Sequence, residues 1–303
     1  MDLDTLNWME NIINRLDIPL DSLPSIKPSM FNYGTNEEIL KNVPITAVLG
    51  DQQASLFGQN CITSGDVKNT YGTGCFALTN TGSEIVHSNN GLLSTVAYQK
   101  DGDKPQYAIE GSVSIAGAAV QWLRDNLNII KESSEVEALA MSEKDNGDVY
   151  FVPAFSGLFS PHWDETARGV LVGLSRFSNK SHIARAVLES VAYQSNELLE
   201  SMEKDIGITF ESVSVDGGMV INNLLMQFQS DIFNKKVISQ EINEITALGA
   251  GAASFLFFNN LPLENMSSFV SQSKTWSPNM ENKQREQYLN KWNKAINKSK
   301  QWI

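Results

Sequence analysis

Between residues 212 and 258 the sequence runs twice through the same unit, a β-branched stretch followed by a turn and a helix-forming stretch. SVSVDGG (212–218) precedes the helix-like NNLLMQFQSDIF, and KKVISQ (235–240) precedes TALGAGAASFLFF, a helix built on small residues. Repeated strand-to-helix units place strands in a sheet covered by helices. Earlier in the chain, GDVKNTYGTGCFALTNTG (65–82) reads as a hairpin tightened by Gly72 and Gly74, and GLLSTVAYQ (91–99) as a further strand. Hairpins beside strand-to-helix units give an α/β fold with a mixed sheet.

The remaining segments fit that plan. SIAGAAVQWLRDNL predicts a helix, VYFVPAF (149–155) and VLVGL two strands, and the stretch from His182 to Lys204 a long amphipathic helix. At the carboxyl end Tyr288, Trp292 and Ile296 recur at helical spacing among lysines, as expected of a helix docking an aromatic stripe with a solvated basic face. Residues 1–34 combine a short helical stretch with the proline-punctuated DIPLDSLPSIKPS and read as a connection. PITAVLGDQQASLFGQ (44–59) predicts a strand over Ile45 to Leu49, a turn at Gly50, and a helix capped by Asp51.

With 303 residues, 42% of them hydrophobic, the chain can bury a substantial core. A formal charge of -12 disfavours nucleic acid as a partner. Its longest apolar runs fall short of the roughly 20 residues that cross a membrane, and residues 1–20 lack the pattern of a secretory signal. Cys61 and Cys75 form no ligand-like pair, so neither a disulfide framework nor structural zinc is expected and a reducing cytoplasm is. His87, His162 and His182 lack metal-ligand spacing and read as structural or solvent-facing.

Four segments could carry chemistry, and each also has a plain structural reading. Asp51, at a strand's carboxyl edge and a helix's donor end, is placed to take a hydroxyl proton or help hold magnesium, or it is a helix cap. In TYGTGC (70–75) the glycines admit close backbone approach and Thr70 and Thr73 offer hydroxyls to phosphate, or the segment is an ordinary glycine hairpin. VDGGMVINN (215–223) leaves room for a flat ligand, with Asn222 able to address ribose or base, or is a tight strand-to-helix junction. EGSVSIAGAAVQWLRD (110–125), small at Gly117, Ala118 and Ala119 with Gln121 one turn on, suits close helix packing or a nucleotide pocket.

Taken in order and spacing, GDQQASLFGQ, KNTYGTGCFALTNTG, EGSVSIAGAAVQWLRD, GVLVGLSRFSNKSHIARAVLE (169–189) and VDGGMVINNLLMQFQSDI resemble the carbohydrate-kinase family known by its FGGY name, and within it the glycerol kinases. The resemblance implies a ribonuclease-H-like domain of the actin and hexokinase type, paired in the complete enzyme with a second such domain across a cleft for glycerol and magnesium-ATP, giving glycerol 3-phosphate. Residue by residue, it implies Asp51 as general base and as magnesium ligand, directly or through water, and Gln52 and Phe76 as glycerol contacts. It assigns Thr73, Gly117, Gln121, Gly218 and Asn222 to the nucleotide. A cytoplasmic homo-oligomer of the complete enzyme is implied as well.

Nothing in the chain resembles the family's amino-terminal phosphate loop or its Arg-Glu pair and aromatics that grip glycerol. Residues 1–60 are therefore expected to be the tail of an amino-terminal, glycerol-binding domain and residues 61–303 the nucleotide-binding domain, with little or no turnover from this chain alone. The loop GTNEEILKN (34–42) has neither the glycine-rich, arginine-ending segment that binds a regulatory sugar bisphosphate in some bacterial relatives nor a histidine. A non-catalytic nucleotide-binding or partner protein, and a kinase for another polyol or a ketose, are the alternatives.

Overall fold

The computed structural model describes the backbone of residues 1–303 and all side chains except those of residues 272 and 273. Its centre is a seven-stranded mixed sheet. The hairpin expected at 65–82 supplies β3 (Val67–Tyr71) and β4 (Cys75–Gly82), with β5 (Leu93–Tyr98) and β6 (Gln106–Val113) continuing antiparallel beyond it. On the other side of β3, β9 (Ser212–Asp216) and β10 (Lys236–Gln240) run parallel, and β11 (Gln272–Trp276) closes the edge antiparallel. The spatial order is β11-β10-β9-β3-β4-β6-β5, so the two strand-to-helix units join the hairpin at β9 and β3.

Strand alternation sorts β3 between two faces. Val67, Asn69 and Tyr71 face α5 (Lys180–Ile206) and α6 (Asn223–Phe233), where Asn69 Nδ2 donates to Ser195 Oγ at 3.3 Å and the Tyr71 hydroxyl to Gln229 Oε1 at 2.7 Å. Tyr71, Ile109, Val191, Leu198 and Phe228 share the core on that side with α8 (Asn282–Ser299). The carboxyl-terminal aromatic stripe docks as expected: Trp292 is buried, stacks on Tyr193 with centroids 5.0 Å apart, and donates through Nε1 to Glu197 at 3.1 Å. Lys68 and Thr70 face the opposite side, covered by α2 (Asp51–Gly58) and α7 (Ile245–Phe258), where Leu56, Phe57, Leu78, Ala252 and Leu256 form a second core with Met30.

A third core joins α3 (Gly117–Asp125), α4 (Glu135–Met141) and α5. The long helix starts in a capping box between Asn179 and His182 and ends at Gly207 in the left-handed region, φ 69°. His182 is thus a capping residue, and His162 Nε2 lies 3.1 Å from Glu197. Both cysteines are buried free thiols. Among the described residues no helix is long and apolar enough to cross a membrane.

One expectation needs placing and two need correction. Residues 149–155 and 170–174 do contribute strands, β7 (Tyr150–Val152) and β8 (Val170–Val172), but these pair only with each other, set apart from the main sheet. The strand expected over Ile45 to Leu49 is an irregular ribbon. Beyond the short pair β1 (Thr35–Asn36) and β2 (Val43–Pro44), residues 45–48 bond back to residues 29–34 without a continuous ladder. Its burial is inverted from the apolar-in pattern: Thr46 is buried with its hydroxyl 2.6 Å from Ser254 Oγ on α7, while Ile45 and Val48 are exposed. Third, Asp51 does not cap α2. Gly50 occupies the N-cap, with no side-chain cap, and Asp51 is the first helical residue. α1 (Glu10–Arg15) forms where the short amino-terminal helix was expected.

Candidate active site

Two groups of side chains meet where β3, β9 and the hairpin tip end. The first gathers at the start of α2. Asp51 is exposed, and its Oδ1 accepts from Gln52 N at 2.8 Å, so the carboxylate sits at the helix's electropositive end and makes no salt bridge among the described residues. Phe76 pairs directly with Thr70 across the hairpin and so shares the face that carries Thr70 and Lys68; its ring is 43% exposed, unusual for a large apolar residue in a central strand. Beneath Gln52 lies Lys68, fully buried, whose Nζ donates to Gln52 Oε1 and, at 2.8 Å, to Thr70 Oγ1. Burial lowers the Lys68 ammonium to about 8, against the opposing pull of Asp216, Cys61, Asp51 and Glu110.

Asp216 ends β9 and is itself buried; its Oδ2 accepts from Ser55 Oγ at 2.7 Å and from Gln59 Nε2 at 3.1 Å. Lys68, Ser55 and Gln59 were not singled out in the sequence. A lysine at an inward-facing position of the apolar stretch VKNTY was the available signal, since lysine is almost never fully buried without partners.

The second group walls a cavity of about 460 Å³ lined by Thr73 from the hairpin tip, Gly117 and Gln121 from α3, Gly218 and Asn222 from the turn after β9, and Ser133 and Glu137 at α4. All five residues expected on the nucleotide side therefore line one space. The hairpin tip is bound to the start of α3 by backbone: Ala116 N and Ala118 N donate to Thr73 O at 2.9 and 3.1 Å, and Gly117 N to Gly72 O at 3.0 Å. Gly117 is required by this approach, because a Cβ there would lie 2.6 Å from Gly72 O. Asn222 is partly committed: its side chain caps α6, accepting from Leu225 N at 2.9 Å. A wider cavity of about 700 Å³ adjoins the first through Gly218 and Ile221 and reaches Thr70, Asp216 and Lys274.

The sequence and the fold both have known relatives. The C-terminal domain of the FGGY family of carbohydrate kinases matches residues 67–255. The chain belongs to this family. It is 52% identical over its full length to a glycerol kinase of Brucella anthropi and 50% identical to one of Pseudarthrobacter chlorophenolicus, covering 61% of each. The crystal structure of Plasmodium falciparum glycerol kinase with ADP superposes over 99% of this FGGY chain and 61% of its own length, with a TM-score of 0.92 and 38% identity. A xylulose kinase from Lactobacillus acidophilus, at 21% identity and a TM-score of 0.82, shares the fold. The FGGY chain thus spans about three-fifths of the length of these relatives. Its α/β fold is that of the actin and hexokinase type of ATPase domain, as expected from the sequence.

Among the described residues no three His, Cys, Asp or Glu side chains cluster as a metal cage. A single exposed carboxylate is nonetheless what magnesium-nucleotide sites use, since this ion keeps several waters and takes its other ligands from the phosphates. Asp51 fits that requirement.

Proposed function

We propose that this chain is the nucleotide-binding part and the catalytic edge of an ATP-dependent glycerol kinase, which transfers the γ-phosphoryl group of ATP to a glycerol hydroxyl and yields sn-glycerol 3-phosphate. What carries the reading is that Asp51 opens α2, the helix whose Ser55 bonds Thr70 and Asp216 at the lining of the larger of two adjoining cavities. Thr73, Gly117, Gln121, Gly218 and Asn222 line the smaller cavity, and the larger one runs from Gly218 towards Thr70 on the face that also carries Phe76.

In this reading the nucleotide's base and ribose occupy the smaller cavity, and its phosphates extend past Thr73 towards α2. Phe76 gives the carbon side of the polyol an apolar wall, and Gln52 binds a hydroxyl. Asp51 accepts the proton of the attacking hydroxyl. At the donor end of α2 the hydrogen bond from Gln52 N fixes the direction of the carboxylate. Magnesium bound with ATP neutralises phosphate charge, and Asp51 is the residue here that would hold it. Phosphoryl transfer depends on positioning and charge neutralisation from both walls of a cleft. Residues 1–60 are then the tail of the domain that forms the other wall, and residues 61–303 the nucleotide domain of a cytoplasmic, homo-oligomeric enzyme.

The test has two parts. Titration calorimetry of the 303-residue chain with ATP is expected to show binding without turnover. In the full-length protein, Asp51→Asn is expected to lower glycerol phosphorylation by at least about 1,000-fold while leaving ATP affinity within about threefold. Normal turnover in that variant would remove Asp51 as the base, and no preference for glycerol over dihydroxyacetone, erythritol and xylulose would overturn the substrate.

A further inference from the structure

Lys68 takes no part in the chemistry proposed above, yet it is the most costly side chain near the site. It is a fully buried cation whose ammonium donates to Gln52 Oε1 and Thr70 Oγ1. A buried ammonium is tolerated only where it is hydrogen-bonded and charge-compensated. Compensation comes from Asp216 through a polar chain. Ser55 Oγ gives its single proton to Asp216 Oδ2 at 2.7 Å, so in the longer 3.4 Å contact between Thr70 Oγ1 and Ser55 Oγ it is Thr70 that donates. Donors therefore run one way, from Lys68 through Thr70 and Ser55 to Asp216, and Gln59 Nε2 holds the same carboxylate oxygen at 3.1 Å.

An ammonium has three donors and no acceptor, which decides how the Gln52 amide can stand. Its oxygen must face Lys68, and its nitrogen, which makes no hydrogen bond among the described residues, must face away. We propose that Lys68 is a positioning residue that locks the Gln52 carboxamide with its NH2 group presented as a donor to a substrate hydroxyl oxygen, Asp216 being the anchor that keeps Lys68 in place. The same amide left free would present either end to the cleft. The inference rests on the reading of Gln52 as a polyol contact and deepens it by fixing the polarity of that contact.

A residue that acts through Gln52 should change binding of the polyol and little else. In the full-length protein, Lys68→Met is expected to raise KM for glycerol about tenfold or more, with kcat and KM for ATP within about threefold. A purely structural role would instead lower kcat in proportion to the folded fraction and leave KM for glycerol unchanged. The decisive readout is a double-mutant cycle with Gln52→Ala: Lys68→Met should add nothing to KM for glycerol once the amide is gone. Gln52→Glu needs no loss of the buried cation, and by keeping the oxygen on Lys68 while losing the NH2 donor it should raise KM for glycerol as far as Gln52→Ala does. Additive effects in the cycle, or wild-type KM in Lys68→Met or Gln52→Glu, would overturn the proposal while wild-type glycerol turnover persists. Absence of glycerol turnover in the wild-type protein would instead sink the functional reading, and the inference with it.

Discussion

Helix α2, which carries Asp51 and Gln52, is held against α7 through a contact that only glycine permits, and this makes a matched pair of substitutions informative. A Cβ on Gly249 would fall 1.9 Å from Ala54 O and 2.8 Å from Gly58 N, whereas a Cβ on Gly251, two residues along the same helix, meets nothing within 4 Å. Ordinary contact begins near 3.4 Å, so Gly249→Ala requires the helices to part by about 1.5 Å at that point. The obstructing atoms are helix backbone and cannot rotate aside, and the parting loosens Leu56, Phe57, Ala252 and Leu256, which are buried between the helices and the sheet. Overpacking of this kind costs about 1–3 kcal/mol, and the rigid obstruction places the cost at the upper end. Both substitutions gain up to about 1 kcal/mol of helix propensity. The net expectation is that Gly249→Ala is destabilised by about 2 kcal/mol and Gly251→Ala stabilised by up to about 1 kcal/mol, a gap of about 3 kcal/mol. Urea unfolding followed by circular dichroism, with equal slopes in both variants, measures that gap. Midpoints that place the two variants within about 0.5 kcal/mol of each other would refute the close α2–α7 contact.

Three further outcomes follow from single contacts. Glu189 is buried and its carboxyl is raised to about 7, chiefly by desolvation and despite Arg185 at 2.9 Å. Between pH 4.5 and 7 the folded chain holds a proton that the unfolded chain has released, so stability should fall by about 3 kcal/mol as pH rises through that window; Glu189→Gln should remove most of the slope in urea midpoints measured from pH 5 to 7.5. Trp292→Ala removes the ring stacked on Tyr193 at 5.0 Å and leaves the Glu197 carboxylate one donor short, so a loss of about 3–5 kcal/mol is expected by the same assay. Gly117→Ala drives a methyl to 2.6 Å from Gly72 O, and by moving the hairpin tip off α3 it should weaken ATP binding about tenfold in calorimetry with little change in KM for glycerol.

The parts of the fold that could be read in advance are those whose pattern is local. The strand-to-helix units after residue 210 and the aromatic stripe of α8 follow from periodicities that the chain must satisfy whatever its neighbours are. The errors fall where a neighbour decides. Ile45 to Leu49 has the composition of a strand, but the ribbon at residues 29–34 and the Ser254 hydroxyl settle its geometry, and Thr46 turns inward in place of the apolar residues. Asp51 after Gly50 has the composition of a cap, yet the glycine takes the extended N-cap conformation and the carboxylate is left exposed.

The buried network was the least legible part of the site, because its members are far apart in sequence and none forms a motif with another. Lys68 and Asp216 stand on neighbouring parallel strands, and Ser55 and Gln59 on the helix above them. Apart from Lys68 in its apolar stretch, each alone reads as a polar residue at an unremarkable position; together they bury one cation and one carboxylate side by side. The cost of burying either charge without the other is several kcal/mol, so the two positions are coupled however the surface changes around them. That coupling ties the start of α2, where Gln52 and Asp51 sit, to the end of β9, whose turn lines both cavities. A substitution at Asp216 is therefore expected to reach Gln52, the proposed polyol contact, as well as the proposed nucleotide side. Asp216→Asn should raise KM for glycerol and KM for ATP together, whereas an effect on ATP alone would show that the network ends at Ser55.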